Sequence, residues 1–189
     1  MVATSVYWEN VVFLGWKKTI IMEKIDIKRL NDNVFELIGK EWILIAAGSC
    51  DNFNMMTASW GCLGWLWNKP VAVIFVRPER YTHDFVERRE YVTLSFLGNS
   101  PEMRQAYNVC GTKSGRDCDK VAETGLKPVA TEHGNVAFEQ SRLTLECRKL
   151  YKDSIKPDGF IDSSIAKWYG GKAGGYHDVY VMEIVNAYK

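Results

Sequence analysis

The chain of 189 residues suits one domain, large enough to bury about 70% of the surface its unfolded chain exposes. Lysines and arginines number 24 against 23 acids, so no long-range field exists to hold nucleic acid or an anionic membrane, and any anion site must be local. An apolar fraction of 47% with seven tryptophans excludes a disordered chain, and no stretch approaches the roughly 18 continuous apolar residues of a membrane span.

In chain order, Val11-Val12-Phe13-Leu14 is too short for a secretory h-region and follows no basic residue, so it is not read as a signal peptide. Met22 then opens Glu23-Lys24-Ile25-Asp26 in the manner of a translation start. Residues 1–21 are therefore expected to be an upstream extension, with 1–22 weakly ordered and the domain proper spanning 23–189. Two β-rich runs, Val34 to Ile38 and Trp42 to Ala47, flank Gly39-Lys40-Glu41 and predict a hairpin. A further strand is expected from Met55 to Leu63. Val71 to Val76 is apolar at every position and bracketed by Pro70 and Pro78, which predicts a central strand covered on both faces.

Thr82 stands where an N-cap belongs, before a short helix containing Phe85, Val86, Arg88 and Arg89. Tyr91 to Leu97 reads as a half-exposed strand. Ser100-Pro101-Glu102 opens a helix that Gly111 is expected to close, and a second helix is expected after Ser114. Leu143, Leu145 and Cys147 alternate with Arg142, Thr144, Glu146 and Arg148, a period-two strand with one wet face. The last strand, Val179 to Val185, is apolar on both faces and needs cover from its own barrel or from another subunit. Strands with helices inserted between them predict a mainly β, antiparallel barrel, and the absence of GxGxxG argues against a Rossmann site.

Two segments combine the chemistries that a flat, phosphate-tailed cofactor requires. In the first, Asn54 precedes the small-polar run Met56-Thr57-Ala58-Ser59-Trp60-Gly61, and Asn54, Thr57, Ser59 and the peptides around Ala58 can meet the polar edge of an isoalloxazine ring. The second, Arg77-Pro78-Glu79-Arg80-Tyr81-Thr82, offers Arg80 and Thr82 to a phosphate, with a helix N-terminus following. Arg77 is a second phosphate candidate, although a surface salt bridge is its favoured fate. Together these segments read as a flavin mononucleotide (FMN) site. Gly111 to Asp117 lacks the P-loop spacing and by its residues alone is a solvated loop. His83, His133 and His177 show no metal-ligand spacing, so no metal is expected; His133 reads as a turn residue. His177, after Gly174-Gly175-Tyr176, is either aimed at the cleft or a plain surface histidine. Cys50, Cys62, Cys110, Cys118 and Cys147 form no CxxC pair and are odd in number, as expected of reduced thiols in the cytoplasm.

Asn54-x-Met56-Thr57-x-Ser59-Trp60-Gly61, Lys69-Pro70, Arg77-Pro78-x-Arg80-Tyr81-Thr82 and Ser114-Gly115-Arg116-Asp117-x-Asp119-Lys120 occur in an order that resembles the flavin reductase family with the FMN-binding split barrel, in particular its flavoredoxin-like branch. The resemblance spans roughly Val34 to Tyr188. It implies a Greek-key split β-barrel, a homodimer with FMN near the subunit interface, and electron transfer between NADH or NADPH and flavin. By motif position, Thr57, Ala58 and Ser59 would line the ring and ribityl chain and Arg80, Tyr81 and Thr82 the phosphate end. Ser114 and Lys120 would approach the same FMN from the loop, Lys120 also as a candidate for tuning the ring. His177 matches the histidine near the family's last strand, on the nicotinamide side. Two other readings stay open: an electron carrier without a nicotinamide site, serving an acceptor protein, and a split-barrel module that has lost flavin or holds haem or another phosphate ligand.

Overall fold

The computed structural model describes residues 22–171 and 174–189, together with the backbone of Val11–Leu14 and Lys17–Ile20, which pair as antiparallel strands β1 and β2. Apart from these strands and Met22, the expected extension over residues 1–22 lies outside the described residues.

The main sheet is antiparallel, in the order β5 (Asn52–Ala58), β4 (Ile43–Ser49), β8 (Tyr91–Phe96), β11 (Leu143–Ser154), β12 (Asp178–Tyr188), β7 (Lys69–Val76) and β6 (Gly61–Leu66). A short strand β3 (Lys24–Ile25) also pairs with β12. The sheet does not close, because its edges β5 and β6 are not hydrogen-bonded to each other. Yet these edges are consecutive in sequence, separated only by Ser59 and Trp60. Three peptide links reach at most about 11 Å, so the sheet must roll until its two edges almost meet. The result is a split barrel whose seam is Ser59-Trp60. The expected single strand from Met55 to Leu63 is thus two strands at opposite edges of one sheet.

Alternation along the strands feeds two cores. Ile43, Ile45, Met56, Ile74, Leu94, Leu145 and Met182 fill the barrel, while Leu44, Ala46 and Met55 face outward under α3 (Pro101–Thr112) and the hairpin of β9 (Pro128–Ala130) and β10 (Val136–Phe138). This cover corrects two expectations of a wet strand face. On β8, Thr93 donates to the Val136 carbonyl at 2.5 Å, and Ser95 lies 3.2 Å from the Thr144 hydroxyl, both fully buried. On β11, Thr144 and Glu146 are equally buried.

Other expectations shift for local reasons. Val34 to Ile38 is not a strand: Asn33 accepts from the amides of Phe35 and Glu36 and starts the turn α1 (Val34–Glu36), which widens into a π-turn over Leu37–Glu41. Gly39-Lys40-Glu41 belongs to that turn rather than to a hairpin. The strand β7 has a neighbour on each side but lies next to an edge, and Pro70 sits inside its ladder opposite Trp65. On β12, Tyr180, Met182 and Ile184 enter the barrel core, while Val179, Val181, Glu183 and Val185 remain half-buried on the other face. Ser100 caps α3 as expected, but Gly111 lies within that helix. The helix after Ser114 begins only at Lys120 (α4, Lys120–Thr124), capped by Asp119.

Glu146 ties the outer layer together. Its carboxylate accepts from Asn135 Nδ2 (2.9 Å), Asn186 Nδ2 (2.8 Å), the Tyr188 hydroxyl (3.0 Å) and the Thr131 hydroxyl, and His133 Nδ1 lies 3.0 Å away. Burial pushes this carboxyl up, but the hydrogen bonds outweigh burial and bring it down to about 2 from an ordinary 4.5. As pH falls from about 4.5 to about 2 the unfolded chain gains a proton that the native state refuses, so this contribution to stability is lost over that window. Glu146→Gln should cost about 2–3 kcal/mol in urea unfolding at pH 7, with the difference from the wild type shrinking through the acid window.

Candidate functional site

Two adjoining clefts lie against β5, the first of them at the seam. The first, of about 180 Å³, is lined by Met56, Thr57, Ala58, Ser59 and Trp60 at the end of β5, with Phe75, Arg77, Arg80 and His177 opposite. The second, of about 230 Å³, is lined by Asn54, Glu79, Arg80, Tyr81, Thr82, the loop from Gly111 to Gly115 (including Ser114) and Lys120. Arg80 lines both. Every candidate residue named from the sequence therefore falls in one of two touching clefts.

The second cleft collects positive charge without a matching acid. Lys120, 5% exposed, donates to the carbonyls of Met55 (2.7 Å) and Cys110 (3.2 Å), and the half-buried Arg80 donates to the same Cys110 carbonyl at 3.2 Å. Burial pushes both cations down; the charge of Arg80 lowers Lys120 further, and that of Arg77 lowers Arg80 further. Among the described residues no carboxylate pairs with either. Glu79, which lines the cleft, instead accepts from the Gly175 amide at 2.6 Å. Cys110 supplies no counter-charge, since burial pushes its thiol up to about 11.

Local structure holds this arrangement in place. The helix α2 (Tyr81–Arg88) begins at Arg80, its N-cap, which offers no side-chain cap; Thr82, the expected cap, sits inside the first turn. There the Thr82 hydroxyl accepts from Asn54 Nδ2 at 2.9 Å, so its proton stays available to a ligand. The loop ahead of α4 is docked rather than solvated. Arg116 pairs with Asp84 at 2.8 Å and covers the Tyr81 ring at 4.3 Å. Gly115 abuts Asn54 so closely that an added Cβ would lie 2.1 Å from its Oδ1. The Ser114 hydroxyl accepts from the Arg116 amide within the same turn. Lys120 lines this cleft together with Arg80 and does not line the one formed by Met56 to Trp60.

A family model described as the flavin reductase like domain matches residues 37–189. The chain belongs to that family. A search of curated proteins found no match. Among solved structures, flavoredoxin from Methanosarcina acetivorans is 21% identical with a TM-score of 0.60, covering 88% of this chain and 75% of that one. An FMN-binding domain of a flavin reductases-like enzyme from Shewanella baltica is 15% identical with a TM-score of 0.61, covering 88% and 76%. The NADH:FAD oxidoreductase of Streptomyces globisporus is 15% identical with a TM-score of 0.57, covering 79% and 75%. These likenesses establish the unclosed, mainly antiparallel flavin reductase fold.

In this member of the flavin reductase family the first cleft has aromatic walls. His177, 7% exposed, has ring neighbours Trp60 (5.3 Å), Tyr169 (5.6 Å) and Phe75 (6.4 Å) between centroids, and its Nδ1 lies 3.3 Å from the Tyr169 hydroxyl. Arg77 lines this aromatic cleft rather than the cationic one. It donates to the carbonyls of Gly175 and Trp168, both at 3.1 Å, and lies over the Tyr169 ring, fixing the connection between β11 and β12. Gly174, at φ +91°, lets that connection pass, since a Cβ there would sit 2.4 Å from Arg77 Nη1.

Sequence reasoning missed Phe75, Trp168 and Tyr169 as lining residues, and took Gly111 for a helix stop rather than a packing position. Gly111 brings α3 against β5, where an added Cβ would meet Thr57 at 3.5 Å. The density of Phe160, Trp168, Tyr169 and Tyr176 between two strands was the signal for the aromatic wall. His83, Glu87 and Asp178 also approach within metal-ligating distance of one another. Lys152 already bridges their two carboxylates, at 3.0 and 2.9 Å, and so occupies the place of a cation.

Burial, followed by the charge of Arg77, pushes His177 down to about 4 from an ordinary 6.5. The imidazole should therefore titrate near pH 4 in long-range ¹H–¹⁵N spectra, and Arg77→Ala should move the midpoint upward. Between about pH 6.5 and pH 4 the unfolded chain binds this proton and the native state does not, so stability falls as pH falls across that interval.

Proposed function

We propose that the chain is an FMN-dependent oxidoreductase that takes electrons from NADH or NADPH, acting as a homodimer. The observation that carries this reading is the convergence of Arg80 and Lys120 on one carbonyl without a carboxylate partner among the described residues. Two desolvated like charges raise each other's cost, and a phosphate placed between them relieves it while accepting charge-assisted hydrogen bonds. The residues fit the group: Arg80, Lys120, the Thr82 hydroxyl and the first amides of α2 would hold the phosphate. Ser114 would approach from the docked loop and Tyr81 would flank the tail. Asn54, occupied with Thr82, orients that hydroxyl rather than serving the ring.

At the other end, Met56, Thr57, Ala58, Ser59 and Trp60 would face the ring. The Thr57 hydroxyl donates to the Tyr107 carbonyl at 2.6 Å, which leaves an acceptor lone pair toward the cleft. Ser59 is exposed at the seam with its hydroxyl available to the ring's polar edge. When bound, FMN supplies the hydride-accepting centre, so the protein needs no nucleophile. His177, neutral at pH 7, acts here as a flat wall and hydrogen-bonding group on the nicotinamide side rather than as a charged acid. Trp60 and Phe75 exclude water beside it.

Arg80→Ala should weaken FMN binding about 10- to 100-fold, one charge-assisted hydrogen bond being worth about 1.5–3 kcal/mol, while riboflavin affinity should hardly change. Equal loss for both flavins would remove the phosphate assignment. Stopped-flow reduction of the bound flavin by NADH or NADPH tests the enzyme reading. Bleaching only by an electron-donor protein would make the chain a carrier.

A further inference from the structure

Beside the seam lies a larger chamber, of about 520 Å³, walled by Trp60, Phe75, Ile155, Ile165, Trp168 and Tyr169, with Ser59 and Gly61 at its inner end. We propose that this chamber binds an uncharged, planar aromatic small molecule carrying one hydrogen-bonding substituent. Its volume falls in the range of small-molecule sites, which runs from about 300 to 1,000 Å³.

The walls favour a flat apolar ring. Trp60 and Trp168 meet edge to face, with centroids 5.7 Å apart and planes at 83°, so they present surfaces in two orientations. Tyr169 is backed by Tyr176, stacked at 4.9 Å, and by Phe160 at 5.6 Å. Arg77 holds the Trp168 carbonyl, so this wall is fixed to the barrel rather than left to the connection alone.

Charge decides what cannot enter. None of the lining residues is acidic or basic, and two cations among the described residues beside this wall face other groups: Arg77 holds backbone carbonyls and Lys167 lies over Trp168 at 5.5 Å. A pyrophosphate or sulfonate placed here would leave water without a paired cation, which is unfavourable. Polar matching is available at two side chains, the Ser59 and Tyr169 hydroxyls, which suits a single carbonyl or hydroxyl on the ligand. Ser59, Trp60 and Phe75 are shared with the first cleft, so the occupant would lie next to the proposed flavin ring. Binding itself does not depend on the flavin assignment, because neither Arg80 nor Lys120 lines the chamber.

The test is calorimetric titration of the full chain with 2-naphthol and with 2-naphthalenesulfonate, and in parallel with FMN. One 2-naphthol should bind per chain, with the sulfonate at least tenfold weaker. Trp168→Ala should weaken 2-naphthol at least tenfold, Trp168→Phe should restore much of the affinity, and FMN affinity should be unchanged in both. Arg80→Ala should do the reverse, weakening FMN and sparing 2-naphthol. Absence of 2-naphthol binding, equal binding of the sulfonate, or indifference to Trp168→Ala would overturn the proposal. So would 2-naphthol affinity that falls as sedimentation shows the chain self-associating, which would give the chamber to a second copy. If 2-naphthol binds as expected and FMN does not bind, the chamber stands and the flavin reading fails.

Discussion

A connection of two residues, Ser59 and Trp60, has to join strands at opposite edges of the same sheet, and much of the molecule follows from that short reach. It forces the sheet to curl, encloses the barrel core, and leaves an opening where the edges approach without pairing. Backbone groups at an unpaired edge must find water, side chains or a ligand. The first cleft and the aromatic chamber lie at this opening and the second cleft adjoins the first through Arg80, so the fold supplies the site by failing to close.

Charge then separates the two ends of the opening. At one end, Lys120 and Arg80 are drawn from separate segments onto a carbonyl near the end of α3, with Asn54 and Gly115 packed tightly against each other beside them. At the other end, Trp60, Phe75 and His177 form a wall in which burial keeps the imidazole neutral. A cationic end and an aromatic end are thereby kept apart by position, with Arg80 as the shared boundary.

Much of the site was legible because its parts are contiguous. Asn54 to Trp60 and Arg77 to Thr82 each lie at a strand end, so their residue types already show what chemistry they can offer together. Lys120 was legible only through family resemblance. The seam was not legible, since no glycine or proline separates Ala58 from Trp60 and the break comes from pairing with distant strands. The wet faces assigned to β8 and β11 failed for a related reason. Thr93, Ser95, Thr144 and Glu146 look solvent-facing by type, but a hairpin and a helix elsewhere in the chain cover them and satisfy their polar atoms. At Val34 to Ile38 the apolar run concealed the stronger local signal, an Asn33 side chain ready to cap a turn.

The connection carrying Trp168 and Tyr169 leaves and re-enters the sheet at paired residues, Ser154 and Asp178. Because those anchors are neighbours, the entropy of closing the segment depends only weakly on its length. Residues there can be exchanged, added or removed while the strand pairing and the cleft around Arg80 and Lys120 keep their geometry. Sequence change confined to this one segment therefore reshapes the aromatic wall around Trp168 and Tyr169 without rewriting the pairing of the barrel strands.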